Sequence, residues 1–149
     1  SSDLPDAWHS CPALRLEDYW MGRNATHPED MTPEIVRNAG HLLRRVNNLI
    51  VLMHDIQIET HPVTRTPISS GWRPPAVNAS VPGAAPRSKH MTGDAVDIFD
   101  PEGEIDGWCL EHLDFLAEAG LWLEHPSATK GWCHLQQVPP RSGRRIFYP

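Results

Sequence analysis

The chain has 149 residues, of which 40% are hydrophobic and 21% charged, a composition that excludes a disordered chain and indicates one soluble globular domain. The net charge of -6 excludes the broad basic surface on which nucleic-acid affinity depends, so we expect neither DNA nor RNA as a partner. The sequence shows no signal peptide and no apolar run long enough to span a bilayer, so we expect no membrane insertion.

The first 31 residues are interrupted by prolines and contain one short predicted helix, around LRLEDYW. Prolines make a longer helix here unfavourable, because each one inside a helix removes a hydrogen bond and clashes with the preceding turn. We therefore expect residues 1–31 to form an arm that Trp8 and Trp20 hold against a single compact domain of residues 32–149.

A long helix is predicted to begin after Thr32. Thr32 is a favourable capping residue, and Pro33 suits the first helical position. Apolar residues then recur every three or four positions from Ile35 to Met53, which predicts one apolar face packed against a core. This helix is expected to be the main scaffold of the domain.

Short elements are predicted to follow this helix. The segment VTRTPISSGWR indicates a strand that ends at Gly71, and residues 74–88 indicate a loop with one helical turn at PAVNAS. The segment DAVDIF indicates a second strand, in which side chains alternate between faces and Asp97 places a carboxylate among apolar residues.

The C-terminal third is predicted to hold a helix and a hairpin. Asp106 is expected to cap a helix through GWCLEHLDFLAEAG that stops at Gly120. The segments LWLEH and WCHLQ are expected to pair as two strands. The element order predicts an α+β fold, with helices packed on one face of a small, mostly antiparallel sheet. A final cluster of basic residues is interpreted as a solvated tail: Arg141, Arg144 and Arg145.

Three residues form a candidate metal site. His90 and Asp97 flank Gly93, which allows a tight turn, so that the imidazole and the carboxylate converge, and His134 on the last strand can supply a third ligand. Two histidines and one aspartate suit zinc, and three protein ligands leave the fourth position for water, as in catalytic sites. On spacing alone, ordinary core histidines remain the alternative.

The segments SGWRPPAVN, SKHMTGDAVDI and WCHLQ carry a resemblance to a known family. They resemble the zinc D-Ala-D-Ala carboxypeptidases and endopeptidases of peptidase family M15, which include phage endolysins and share the signature SxHxxGxAxD with a later WxH. The resemblance spans roughly residues 32 to 136 and implies a hedgehog/DD-peptidase fold.

The resemblance also implies roles for individual residues. It implies that one zinc ion is held by His90, Asp97 and His134, and that Arg73 has an electrostatic role. A guanidinium there would stabilise a developing oxyanion or bind a substrate carboxylate. Two neighbours either shape the substrate groove or simply pack: Ser70 and Trp72.

The general base departs from the family pattern. Many relatives carry Glu or Asp three residues before the final histidine, where this chain has Gly131. If the hairpin pairs so that residue numbers sum to about 258, Glu124 lies opposite His134 on the same face and is the candidate base. The hedgehog branch is similar in placing a Glu at the end of the preceding strand. A slip of one residue would put His125 there instead.

Other potentially reactive residues are given structural roles. The chain has three cysteines and no CxxC pair, which predicts free, mostly buried thiols: Cys11, Cys109 and Cys133. Strand alternation is expected to point Cys133 away from the metal. Asp94 and Asp100 are interpreted as solvent-facing turn residues. The remaining histidines show no metal-ligand spacing with one another.

The resemblance implies a monomeric zinc metallopeptidase that hydrolyses peptidoglycan stem peptides or cross-links. It would act at the bacterial cell wall as a phage lysis or virion enzyme, or as a periplasmic or secreted protein. Endopeptidase and carboxypeptidase activity both stay open. Two alternatives also stay open: a non-catalytic zinc module that binds cell-wall peptide or a protein partner, which Gly131 motivates, and a zinc-stabilised structural component.

Overall fold

The computed structural model describes residues 12–149, which form an α+β architecture. The helices are α1 (Leu16–Trp20), α2 (Arg23–Thr26), α3 (Pro33–Val51), α4 (Pro75–Ser80), α5 (Glu104–Glu111) and α6 (Leu113–Ala119), with 3-10 turns at Pro28–Asp30 and Pro126–Ala128. The strands are β1 (Ile68–Ser70), β2 (Ala95–Asp100), β3 (Trp122–Glu124), β4 (Gly131–Gln136) and β5 (Ile146–Phe147). Among the helices of the described residues, none has both the length and the apolar composition needed to cross a bilayer.

The predicted scaffold helix is confirmed as α3. The Thr32 hydroxyl accepts a hydrogen bond from the Ile35 backbone N–H at 3.1 Å, and Pro33 occupies the first helical position. The apolar stripe is the buried face of the helix: Ala39, Leu42, Leu43, Val46 and Leu49. Capping and burial therefore both act where the sequence indicates.

The five strands form one mixed sheet in the order β1-β2-β4-β3-β5. The pairs β1/β2, β2/β4 and β3/β4 are antiparallel, and β5 adds a parallel strand to the outer edge of β3. The α+β class is confirmed, but β5 was not among the predicted elements. The hedgehog/DD-peptidase fold itself stays a prediction.

The two faces of the sheet carry different kinds of side chain. One face builds the hydrophobic core together with the buried side of α3, through Val96, Ile98, Leu123, Cys133 and Leu135. Because side chains alternate along a strand, Asp97 and His134 project from the opposite face. The core thus fixes two strands whose other faces carry polar groups.

The N-terminal arm packs under the turn that follows β1. Tyr19 is fully buried, and its hydroxyl donates to the Ala95 carbonyl oxygen at 2.8 Å. The Trp72 backbone N–H donates to the Tyr19 carbonyl oxygen at 3.0 Å, and the ring of Trp20 meets that of Trp72 edge-on at 5.9 Å. Two residues of the predicted arm, Trp8 and Cys11, lie outside the described residues.

The predicted cap of the second helix is wrong. The helix begins at Glu104, so Asp106 lies inside it, and the carboxylate of Asp100 accepts the backbone N–H groups of Ile105 and Asp106 at 3.0 Å each. Asp100 is therefore a buried capping group and not a solvent-facing turn residue. The helix also breaks at His112, whose backbone is not helical, before it ends at Gly120 as predicted.

The interpretation of the basic cluster as a solvated tail is wrong for one of its members. The guanidinium of Arg145 lies 4.5 Å from the centre of the Trp122 ring, and its Nη1 donates to the Leu121 carbonyl oxygen at 2.8 Å. Arg141 and Arg144 are exposed as expected. Arg145 thus fastens the C-terminal segment to β3.

Candidate metal centre

Two neighbouring strands and one turn bring the three predicted ligands together. Asp97 on β2 pairs directly with His134 on β4, and His90 arrives from the turn before β2, where Gly93 adopts a φ of 79°. Asp97 Oδ1 lies 2.8 Å from His134 Nδ1, and Asp97 Oδ2 lies 3.3 Å from His90 Nε2. All three residues are buried, and one ligand atom from each lies within 4.8 Å of the others.

Hydrogen bonds assign the proton on each imidazole. His90 Nδ1 lies 2.8 Å from the Gly71 carbonyl oxygen, which can only accept, so this nitrogen carries the proton. Gln136 Nε2 donates to the Val138 carbonyl oxygen at 2.7 Å, which turns Gln136 Oε1 toward His134 Nε2 at 2.8 Å. His134 therefore carries its proton on Nε2, and both remaining nitrogen lone pairs face Asp97.

This donor set fits a zinc ion. In neutral imidazoles, the two lone pairs and the Asp97 carboxylate are all acceptors that converge on one point, an arrangement that a cation between them stabilises. Two nitrogens and one oxygen are zinc ligands, and each histidine has its other nitrogen held by a hydrogen bond, as metal-bound histidines usually do. Within residues 12–149, His90, Asp97 and His134 are the three potential metal ligands whose ligand atoms lie this close together.

The electrostatics of the three residues reflect their contacts. Burial acts to raise the pKa of Asp97, but His90 and His134 together lower that pKa well below its usual range. Burial lowers the pKa of His90, and Asp97 offsets only part of this effect. Burial acts to lower the pKa of His134 as well, but Asp97, Gln136 and Glu124, which all favour its protonated form, together outweigh burial and raise the pKa. Asp97 is therefore ionised and available as a ligand.

The predicted hairpin register is confirmed. Trp122 pairs with Gln136, and Leu123 pairs with Leu135. The same register places Glu124 opposite His134. Glu124 Oε1 lies 3.8 Å from His134 Nδ1, and burial raises the pKa of Glu124, although the charge of His134 acts in the other direction. A carboxylate thus lies beside the three predicted ligands.

Gly131 occupies the position at which many relatives carry an acid. Gly131 has a φ of 101°, a backbone conformation that side chains disfavour. It also lines a cavity of about 330 Å³ together with Asp106, a neighbour of the core-facing Cys133. Position 131 therefore offers no carboxylate to the site, and the acid beside the three predicted ligands is Glu124.

Arg73 lies at the other side of the ligand group. Its Nε donates to Ser70 Oγ at 3.0 Å, and its Nη2 lies 3.5 Å from Asp97 Oδ2. The Arg73 backbone N–H donates to the His90 carbonyl oxygen at 3.1 Å, which ties the arginine turn to the ligand turn. Trp72 is fully buried, and its indole N–H donates to the Met91 carbonyl oxygen. A role for Ser70 and Trp72 in binding substrate stays a prediction.

Strand pairing arranges five side chains in one row across the sheet, which we call the transverse row: Ser70, Asp97, His134, Glu124 and Phe147. Paired residues share a face, so all five border the same site. Sequence reasoning missed Phe147, because a two-residue strand has no periodicity to detect. It also missed Gln136, although alternation places Gln136 on the same face as His134, two positions away.

The comparisons with known proteins agree with this geometry. A family model described as Peptidase M15 matches residues 32–112, more than half of the chain. No curated protein and no solved structure matches the chain. The matched segment contains Arg73, His90 and Asp97 but ends before Glu124 and His134, which β3 and β4 bring to the same site. The chain therefore belongs to the peptidase M15 family, whose members are zinc-dependent peptidases.

Proposed function

We propose that this protein is a zinc peptidase that hydrolyses the peptides of peptidoglycan. The observation that carries the proposal is the transverse row, where Asp97 and His134 converge with His90 and the Glu124 carboxylate lies 3.8 Å from His134 Nδ1. A structural zinc site needs no free carboxylate beside it, whereas hydrolysis needs a group that accepts a proton. Ligands and base in one row favour a catalytic role.

In this proposal His90 Nε2, Asp97 and His134 Nδ1 hold the zinc ion. Zinc supplies Lewis acidity that makes a water molecule nucleophilic near neutral pH. Glu124 accepts the proton of the attacking water and returns it to the amine that leaves. Because burial raises the pKa of Glu124, its carboxylate is a better proton acceptor than an exposed one.

Arg73 is proposed to stabilise negative charge on the attacked carbonyl oxygen. Its Nε is held by Ser70 and its Nη2 reaches Asp97, so the guanidinium is oriented before a substrate arrives. Such preorganised donors stabilise a transition state more than a ground state, because they require no rearrangement when charge develops.

The peptidoglycan substrate is supported by the resemblance of SKHMTGDAVDI and WCHLQ to cell-wall peptidases. It implies action at the bacterial cell wall, on stem peptides or their cross-links. Cell-wall peptides are short, so a shallow groove beside the transverse row would be enough to bind one.

The test is mass spectrometry of fragments released from purified peptidoglycan by the zinc-loaded protein. Glu124→Gln, which keeps the shape of the side chain, should slow release by about 100- to 10,000-fold, the usual contribution of a general acid-base group. It should keep its zinc, because Glu124 is not a ligand. The matched control is Glu118→Gln, the same change at an exposed position of α6.

The outcomes separate the possible roles. New peptide ends that vanish with a chelator and with Glu124→Gln, but persist with Glu118→Gln, would establish the peptidase and its base. A folded, zinc-loaded protein that releases nothing from several wall chemistries would refute the proposal and favour a zinc module that only binds.

A further inference from the structure

The C-terminal strand β5 is part of the site and not an appendage. It pairs in parallel with β3, with Ile146 beside Leu123 and Phe147 beside Glu124. The Leu123 backbone N–H donates to the Arg145 carbonyl oxygen at 2.9 Å, and the His125 backbone N–H donates to the Phe147 carbonyl oxygen at 2.7 Å. Hydrogen bonds on both sides of Glu124 therefore fix the position of Phe147.

Phe147 lies at the end of the transverse row, beyond the proposed base. Its ring meets the His134 ring edge-on, with centroids 6.0 Å apart. The ring is only partly buried, so one part packs against the ligand group and another part faces outward. The row thus has a cationic end at Arg73, which Ser70 holds, and an apolar end at Phe147.

The neighbour of Phe147 on the same strand has a different environment. Tyr148 stacks on His125, with ring centroids 4.5 Å apart, and remains 68% exposed. Alternation turns both of these rings away from the row, since His125 follows Glu124 and Tyr148 follows Phe147. Of these two adjacent aromatic residues, Phe147 alone borders the ligand group.

We propose that Phe147 determines specificity by contacting an apolar side chain of the substrate. This inference rests on the proposed peptidase function. Glu124 hands a proton to the leaving amine, and Phe147 is the next side chain beyond Glu124 in the row. The contacted side chain therefore belongs to the residue that carries the new amino terminus after cleavage.

The test measures kcat/KM on peptides that differ in one residue on either side of the cleaved bond, with glycine, alanine or leucine there. For wild type, alanine on the leaving side should be preferred to glycine by about tenfold, the lower range for one added methyl group in an apolar pocket. Phe147→Ala should reduce this preference to about twofold or less. Phe147→Leu should fall between the two.

Tyr148→Ala is the matched control, because it removes the adjacent aromatic ring from the other face. Zinc content is measured for every variant, so that a general loss of structure is recognised. An equal decrease on all peptides, a preference that follows the acyl-side residue, or the same change in Tyr148→Ala would overturn the inference and leave the peptidase function intact. A wild-type protein that cleaves none of the peptides or peptidoglycan would overturn the function, and the inference with it.

Discussion

Asp97 on strand β2 and Asp106 in helix α5 are buried alike, but their carboxyl groups behave differently. Asp97 is 6% exposed and Asp106 is 4% exposed. Burial acts to raise both pKa values, yet the pKa of Asp97 falls well below its usual range, whereas that of Asp106 rises from 3.8 to about 6. The difference comes from the neighbours, because Asp97 has two imidazoles and Asp106 accepts a hydrogen bond from the neutral Thr129 hydroxyl.

The comparison shows that the partners of a buried carboxylate decide whether its pKa falls or rises. Asp106 even lines a cavity of about 330 Å³, a volume that would suit a small ligand. No histidine lines that cavity, and its one basic residue, Lys130, is exposed. The cavity therefore lacks the donor set that His90, Asp97 and His134 form on the other side of the sheet.

Neutralising each aspartate in turn should give the largest difference between the two residues. Asp97→Asn should reduce zinc affinity by more than about 100-fold, beyond the range for losing a hydrogen-bond partner of a ligand, and abolish hydrolysis. Asp106→Asn should keep both zinc and activity. Zinc content after dialysis and competition with a chelator measure the difference. Stoichiometric zinc in Asp97→Asn would contradict the assignment of the ligands.

A second change sharpens the role of the cation beside Asp97. Arg73→Ala should lower kcat by about 100- to 1,000-fold, the usual cost of losing one oxyanion donor. Zinc affinity should stay the same or increase, because a positive charge 3.5 Å from Asp97 Oδ2 is removed. The control is Arg37→Ala on the exposed side of α3. A parallel loss of zinc and activity would instead make Arg73 a structural support of the ligands.

A third change concerns the proton on His134. Gln136→Leu should weaken zinc binding by about 10- to 100-fold, since His134 Nε2 loses the acceptor that fixes its tautomer. Gln136→Glu retains an acceptor and should recover part of the affinity. Nitrogen NMR of His134 in the zinc-free protein reads the tautomer directly. Wild-type affinity and an unchanged tautomer in Gln136→Leu would contradict this role.

The parts of this site that could be predicted from the sequence depend on local or regular geometry. The Thr32 cap and the stripe after it define α3, and the short spacing from His90 to Asp97 makes these two ligands visible. Regular pairing of the hairpin is enough to place Glu124 opposite His134. Each of these predictions uses a repeat or a spacing that strands and helices impose.

The missed features depend on contacts that no local pattern encodes. Asp100 precedes helix α5 and Asp106 lies in its first turn, so either could be taken for the cap from the sequence. Only the folded turn places the Asp100 carboxylate against the free backbone N–H groups of the helix. An irregular segment separates Arg145 and Phe147 from β4. Their strand pairs in parallel with β3, and a parallel pair has no tight turn that the sequence could reveal. Non-local pairing of a short strand is therefore what sequence reasoning could not supply.

The smallest expected effect is on stability, and it tests the electrostatics of Asp106 itself. Its folded pKa of about 6 exceeds the value of 3.8 assigned to the free side chain, so the neutral form is favoured in the folded protein. That contribution to stability is fully present below the unfolded pKa and is lost as the pH rises through the folded pKa. Asp106→Asn stays neutral throughout and should gain stability relative to wild type on going from about pH 4 to about pH 8.

Thermal unfolding of the zinc-free proteins measures this gain. A change in the difference in Tm of a few degrees is expected, since about 1 kcal/mol corresponds to roughly 2–4 °C in a chain of this size. Both proteins share the ligands on the other face, so the titration of His90 and His134 cancels in the comparison. A difference that stays constant over this range would mean that Asp106 does not titrate there, and that partners and burial do not separate the two aspartates.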